Sequence, residues 1–263
     1  MNYHVNGVEL HVEEQGQGDM ALVFLHFYGG SARTWDKIID VLKKDYHCIA
    51  YDHRGWGDSD KSAASYTIQD LADDAHALIQ ELGLKRYMLV GHSMGAKAAQ
   101  LLASRNPAGL EALILVAPSP PTPQDMPQEI RNAMVHFYDS REGAEMALSN
   151  IALLPLEENI REKVLEDMQK SAPLARVAWP ETAMLEDISA EVKNIHVPTL
   201  VLAGESDPVD RLDTLKSELL PRIPHAELLV IPQTGHLSPL EAPSEITKGI
   251  SNFLSKQRLE NGE

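Results

Sequence analysis

The segment with the clearest chemical pattern is Gly91-His-Ser-Met-Gly95, a G-x-S-x-G sequence. A buried apolar run, Arg86–Val90, precedes it, and small residues in a helical pattern, Ala96–Ala103, follow it. A serine on a sharp strand-to-helix turn has a strained backbone, so its neighbours must be small. The free N–H groups of the following helix would also favour an oxyanion beside the serine. We therefore predict that Ser93 is a nucleophile.

The elements that position Ser93 form an alternating α/β pattern. The chain opens with a predicted hairpin around Asn6-Gly7, a pair typical of type I′ turns. Continuous apolar runs then indicate strands covered on both faces, and helical patterns separate them. This alternation predicts a mostly parallel, right-handed wound sheet with helices on both faces. The predicted strands of this sheet are Ala21–His26, His47–Tyr51, Arg86–Val90, Leu110–Val116, Thr199–Ala203 and Glu227–Ile231.

The segment between the fourth and fifth of these strands has a different pattern. From Pro120 to about Val192 it contains prolines and helical stretches but no convincing strand. We predict a core domain formed by residues 1–119 and 193–263, with residues 120–192 as a helical lid. Ligands bind at the carboxyl ends of the strands in such sheets, and an insertion at that edge can cover them.

Composition and charge restrict the class of protein. The net charge of −16 disfavours binding to nucleic acid or to an anionic membrane surface. The longest apolar run, Leu110–Pro118, is too short to span a bilayer, and the N-terminus does not resemble a secretory signal, so a cytoplasmic location is expected. The single cysteine, Cys48, excludes an internal disulfide. Neither H-x-H nor H-E-x-x-H spacing occurs, so no metal or other cofactor is expected.

From the hairpin to the last helix, the chain resembles the α/β-hydrolase fold superfamily. The resemblance rests on the G-x-S-x-G segment and on the loop Asp52-His-Arg-Gly-Trp-Gly57, which we interpret as architectural. It implies a triad in the chain order serine, acid, histidine. The acid maps to Asp207, in a G-x-x-D turn after the fifth of these strands, and the histidine to His236. The neighbouring acids Glu205 and Asp210 are interpreted as solvated loop or helix-cap residues.

The resemblance also implies an oxyanion hole made of two backbone N–H groups. One belongs to Met94, which follows the nucleophile, and the other maps to Tyr28. Phe27 occupies the position at which the family usually has glycine, so it either adopts an uncommon backbone angle or changes the path of the loop. Phe27, Tyr138 and Trp179 are candidate substrate-binding residues. The alternative is that these aromatic side chains belong to ordinary hydrophobic cores.

These residues predict a serine hydrolase that cleaves ester or lactone bonds of a small molecule through an acyl-enzyme. Related dehalogenases and epoxide hydrolases carry aspartate at the position of Ser93, which argues against both activities. Two alternatives remain: a hydrolase of C–C bonds in β-diketone-type compounds, and a ligand receptor with little turnover. A histidine base also predicts that kcat/KM rises with pH through a group of ordinary histidine pKa, roughly 6 to 7. The oligomeric state is not predicted.

Overall fold

The centre of the computed structural model is one sheet of eight strands within residues 1–261, which are the residues the structure describes, apart from the side chains of 258, 260 and 261. The strands are β1 (Asn2–Val5), β2 (Val8–Gln15), β3 (Ala21–Leu25), β4 (His47–Tyr51), β5 (Tyr87–His92), β6 (Leu110–Val116), β7 (Thr199–Gly204) and β8 (Glu227–Ile231). Their spatial order is β1-β2-β4-β3-β5-β6-β7-β8. The pairs β1–β2 and β2–β4 are antiparallel, and all later pairs are parallel. The predicted mostly parallel sheet is confirmed.

Helices cover both faces of this sheet. Alternate residues of β3 point to opposite sides, so Leu22 and Phe24 join one hydrophobic cluster while Val23 and Leu25 join the other. The first cluster contains apolar side chains of α1 (Asp36–Leu42) and α10 (Pro243–Asn261). The second contains those of α2 (Ile68–Glu81) and α3 (Met94–Ser104). The predicted arrangement, with helices on both faces, is therefore confirmed.

The segment between β6 and β7 is helical, as predicted. It contains α4 (Gln128–Phe137), α5 (Arg141–Ile151), α6 (Glu158–Gln169) and α7 (Pro173–Glu181). We call residues 120–192 the insertion. No strand occurs in it. Its division from the core as a separate domain stays a prediction.

The C-terminal part of the chain contributes three further helices. The short helix α8 (Leu212–Thr214) continues into a π-helical turn, Leu215–Leu219, and α9 (Ser238–Glu241) precedes α10. Helix α10 extends to Asn261, because the residues after Leu254 are good helix formers and the next glycine is Gly262. Of the helices described, none combines the length and the apolar character needed to cross a membrane.

Candidate active site

Ser93 lies on the tight turn between β5 and α3. Its backbone has φ 52° and ψ −114°, a conformation that non-glycine residues rarely adopt. The flanking glycines are required by close packing. A Cβ at Gly91 would lie 2.6 Å from the Cα of Ala96, and one at Gly95 would lie 2.5 Å from the carbonyl oxygen of His26. The two glycines thus allow the strained turn that places Ser93 at the carboxyl end of β5.

His236 and Asp207 complete a hydrogen-bonded chain with Ser93. His236 Nε2 lies 2.9 Å from Ser93 Oγ, and His236 Nδ1 lies 2.9 Å from Asp207 Oδ2. Asp207 follows β7 and His236 follows β8, so the parallel strands bring both loops to the edge that carries Ser93. The second carboxylate oxygen of Asp207 accepts the N–H groups of Val209 (2.8 Å) and Asp210 (3.0 Å). All three side chains are buried.

The surroundings of His236 change its affinity for a proton. Burial lowers the pKa of His236, but the negative charges of Asp207, Asp210 and Glu241 outweigh burial and raise the pKa to about 9. This raised pKa differs from the ordinary histidine value expected from the sequence, and the pH dependence of kcat/KM stays a prediction. The nearby carboxylates stabilise the imidazolium, which is the form that a general base reaches after it accepts a proton.

Two residues that the sequence did not single out as active-site residues hold the loop of His236. His92 donates from Nε2 to the carbonyl oxygen of His236 at 2.8 Å, and burial keeps the pKa of His92 well below its ordinary value. Glu241 accepts the backbone N–H groups of Gly235 (3.1 Å) and Leu237 (3.0 Å), on either side of the histidine. The sequence places His92 in the elbow and Glu241 five residues after His236, but its spacing gives no sign of these contacts.

The backbone N–H groups of Met94 and Tyr28 have no acceptor among the residues that the structure describes. Met94 is the first residue of α3, where an N–H has no intrahelical partner. Tyr28 lies in the loop after β3, and both residues are buried. Their use as oxyanion donors stays a prediction.

Phe27 fits the loop without an uncommon backbone angle. It is not among the residues with positive φ. Its ring is buried, with its centroid 5.0 Å from that of His92. Space for this ring comes from Gly30, where a Cβ would lie 2.7 Å from the Phe27 ring. The bulky residue is thus accommodated by a second glycine three positions later.

The side chain of His26 holds the loop that carries Phe27 and Tyr28. Its Nε2 accepts the N–H of His53 at 3.0 Å, so Nδ1 carries the proton and donates to the carbonyl oxygen of Phe27 at 2.7 Å. Burial lowers the pKa of His26 to about 4, which keeps the ring neutral. The sequence around His26 gives no sign of this hydrogen bonding, because the bond to His53 joins two loops that are 27 residues apart.

A cavity of about 560 Å³ lies over Ser93 and His236. Phe27, Tyr138 and Trp179, predicted to bind substrate, all line it, together with Tyr28. The ring centroid of Tyr28 lies 5.2 Å from that of Tyr138 and 6.4 Å from that of Trp179. The remaining lining residues come mainly from the insertion and are Gln124, Met126, Glu129, Ile130, Ala133, Met134, Phe137, Ala147, Asn150, Ile151, Met184, Pro208 and Val209. The lining is largely apolar, and the described residues that form it include no lysine or arginine.

The insertion is tied to the core by charged side chains. Arg33 and Ser31, just after the loop that carries Phe27 and Tyr28, both bond to the buried carboxylate of Asp167 on α6; the Ser31 bond is 2.7 Å. Lys97 on α3 is fully buried and donates to the carbonyl oxygens of Thr122 (3.3 Å) and Met184 (3.2 Å). Lys97 therefore joins the two ends of the helical segment α4–α7.

Asp210 is buried, so the prediction that it is a solvated residue is wrong. It is only 2% exposed, and its carboxylate accepts hydrogen bonds from Gln124 and Ser119. Glu205 agrees with the prediction of an exposed loop residue. The contrast arises because Gln124 and Ser119, which come from a distant part of the sequence, enclose Asp210.

The loop that begins at Asp52 is structural, as interpreted from the sequence. The Asp52 carboxylate accepts the N–H groups of Ala32 and Asp58, both at 2.7 Å, while Arg54 pairs with Asp74 through two bonds of 2.6 Å. His11, Asp52 and Asp58 form a cluster whose donor atoms could reach one metal ion. Both oxygens of Asp52 already accept backbone N–H groups, so this cluster supports no metal assignment.

Sequence comparison identifies a family pattern across most of the chain. Residues 22–248 match the model of the family described as "Alpha/beta hydrolase family". The uncharacterized hydrolase YugF of Bacillus subtilis is 29% identical over 266 residues, which cover 96% of each protein.

Solved structures share the fold. A thermophilic esterase from Thermogutta terrifontis is 25% identical, with a TM-score of 0.78 and coverage of 97% of both chains. The enol-lactonase from Burkholderia xenovorans is 22% identical, with a TM-score of 0.86, and the match covers 97% of this chain and all of that one (100%). The likeness to the lactonase shows the fold alone.

Proposed function

This chain belongs to the alpha/beta hydrolase family, and from that membership we propose that it hydrolyses carboxylic ester or lactone bonds of small, mainly apolar molecules. The observation that carries the proposal is the hydrogen-bonded chain from Ser93 through His236 to Asp207, at the base of the aromatic cavity. The esterase from Thermogutta terrifontis supports the same class of reaction.

In the first step, Ser93 Oγ attacks the carbonyl carbon of the substrate while His236 Nε2 accepts the serine proton. Asp207 holds the Nδ1–H tautomer and stabilises the imidazolium that forms. The imidazolium then protonates the leaving alcohol, or the ring oxygen of a lactone, and an acyl-serine remains. Water, deprotonated by the same histidine, hydrolyses the acyl-serine and restores the free enzyme.

The tetrahedral intermediate carries a negative charge on the former carbonyl oxygen. We assign its stabilisation to the N–H groups of Met94 and Tyr28, which have no acceptor in the described part of the chain. His26 supports this arrangement because its bond to Phe27 holds the loop that carries the Tyr28 N–H. The donors are thus oriented before the charge develops, which is the condition for effective electrostatic stabilisation.

The insertion acts as a lid in this proposal. Its side chains form most of the cavity lining, and they exclude water from the acyl group. A cavity of about 560 Å³ suits a small molecule rather than a long lipid chain. Phe27, Tyr138 and Trp179 would contact the apolar part of the substrate.

Steady-state hydrolysis of p-nitrophenyl esters from acetate to palmitate tests the proposal. Short and medium acyl chains are expected to react fastest, and Ser93→Ala to lower kcat by about a thousandfold or more. Ser104→Ala is a matched control, because this buried hydroxyl donates to the carbonyl oxygen of Leu101 in its own helix and to no other group in the described part of the chain.

Labelling of Ser93 with a fluorophosphonate distinguishes the ester hydrolase from the two alternative functions. Labelling without ester turnover would favour a C–C hydrolase or a receptor, because the triad would be reactive although esters are not its substrates. Undiminished ester turnover by Ser93→Ala would contradict the proposal.

A further inference from the structure

Asp210 is a second buried carboxylate beside the proposed base. Its Oδ2 lies 3.9 Å from Nδ1 of His236, the same nitrogen that bonds to Asp207. Ser119 donates to Oδ2 at 3.3 Å, and Gln124 donates to Oδ1 at 2.5 Å. Two carboxylates therefore share one edge of the imidazole, and the reaction described above uses only one of them.

The burial of Asp210 beside Asp207 has an electrostatic cost. A carboxylate that is 2% exposed has lost its hydration, and it lies beside another carboxylate of the same charge. Burial raises the pKa of Asp210 to about 7, while the charge of His236 lowers it. Above that pKa, Asp210 carries its negative charge at the expense of desolvation, and a neutral residue would avoid this cost.

The other charged groups around this edge are few. Asp207 faces it from the same loop, and Glu241 adds a more distant negative charge to His236. Lys97 on α3 is a nearby cation, and the negative charge of Asp210 raises the pKa of Lys97, against the larger lowering by burial. His92, which packs against His236 with ring centroids 5.3 Å apart, is neutral because burial holds its pKa well below the ordinary value.

Gln124 holds Asp210 from the side of the insertion. Its backbone N–H donates to the carbonyl oxygen of Met184 at 3.0 Å, the same oxygen to which Lys97 donates. Gln124 also lines the cavity that contains Ser93. The insertion therefore supplies the donor that fixes the orientation of the second carboxylate.

We propose that Asp210 is a positioning residue for His236, which adds a second negative charge at Nδ1 and accepts the Nδ1–H when Asp207 is removed. The inference rests on the proposed function, because it assigns His236 as the base for Ser93. Asp210 does not contact the reacting atoms. It acts by stabilising the imidazolium and by setting the pH above which His236 is free to accept the serine proton.

The rate of fluorophosphonate labelling of Ser93 between pH 5 and pH 10 tests the inference without a known substrate. Asp210→Asn is expected to move the midpoint of the rising limb to lower pH by about one unit, because one negative charge near His236 is lost. The Asp207→Asn protein is expected to be labelled about tenfold faster than the double variant Asp207→Asn/Asp210→Asn, because Asp210 still accepts the Nδ1–H in the single variant. Asp74→Asn, a buried aspartate paired with Arg54, should keep the wild-type midpoint.

The outcomes separate the two proposals. If labelling does not depend on Ser93 or His236, the proposed function is wrong. If it depends on both but Asp210→Asn keeps the wild-type midpoint, or the single and double variants label equally, only the role of Asp210 is wrong. Should Asp210→Asn fail to fold, Gln124→Leu must move the midpoint in the same direction, because it removes the donor that keeps Asp210 ionised. An unchanged midpoint there would overturn the inference.

Discussion

The hydroxyl of Tyr138, at the end of α4, donates a hydrogen bond to the carbonyl oxygen of Tyr28 at 3.2 Å. A Cβ at Gly29 would lie 2.5 Å from the same hydroxyl. The insertion therefore contacts the backbone of the proposed oxyanion loop directly, and both rings also line the cavity.

Replacement of Tyr138 by phenylalanine tests this contact. Loss of one neutral hydrogen bond, worth ~1 kcal/mol, is expected to lower kcat/KM about fivefold because the Tyr28 peptide is less well held. The loss should fall mainly on kcat, since the ring that is proposed to contact substrate is kept. Tyr28→Phe is the comparison variant. It removes the hydroxyl that donates to the Arg176 carbonyl oxygen but keeps the bond from Tyr138 to the Tyr28 peptide. A purely KM effect in Tyr138→Phe would indicate a role in substrate binding alone.

The strain at Ser93 predicts a difference in stability between two variants that lack the serine hydroxyl. Alanine keeps the cost of φ 52°, whereas glycine adopts this conformation freely. After the greater flexibility of glycine in the unfolded chain is counted, Ser93→Gly should be more stable than Ser93→Ala by ~1 kcal/mol. Urea unfolding of both proteins measures the difference. Equal stabilities would mean that the turn relaxes when the serine is removed.

Lys97 predicts a stability effect that depends on pH. Burial lowers its pKa to about 8, from an ordinary value of 10.5. Between these values the unfolded chain binds more protons, so the contribution of Lys97 makes the folded state more stable as pH rises. Lys97→Met leaves two backbone carbonyls without their donor and should cost ~1–3 kcal/mol at pH 7. The difference from wild type should then grow between about pH 8 and 10.5, which urea unfolding across this range checks; a constant difference would contradict the burial of a charged amine.

The cavity lining predicts discrimination against anionic acyl groups. It contains Glu129 and, among the described residues, no lysine or arginine. A carboxylate on the substrate would lose its hydration there without gaining a lysine or arginine partner. The p-nitrophenyl ester of butyrate should therefore have a kcat/KM at least about tenfold above that of the corresponding succinate half-ester, a difference of ~1.4 kcal/mol. Equal values would show that the acyl group remains in water.

Much of this arrangement could be predicted from sequence, because its signals are local. The elbow around Ser93 carries its own glycines, and the runs that form β3 to β8 are apolar enough to identify a buried sheet. The approach of Asp207 and His236 then follows from family order and parallel topology.

Other features depend on contacts between distant segments. Asp210 lies three residues from Asp207 and has the sequence surroundings of a solvated loop residue, yet Gln124 and Ser119 enclose it. His26 and His92 are likewise defined by bonds to backbone atoms of other loops. No local pattern carries such information, so the charge environment of His236 became visible only in the fold.

The packing of Phe27 against Gly30 couples the residue types that this loop accepts at the two positions. A side chain at position 30 has no room while position 27 is phenylalanine, since a Cβ there would lie 2.7 Å from the ring. The Oγ1 atom of Thr34 would lie 2.8 Å from the same Cβ. A smaller residue at position 27 would therefore relieve only part of the restriction, and position 30 stays a glycine position as long as Thr34 keeps its place.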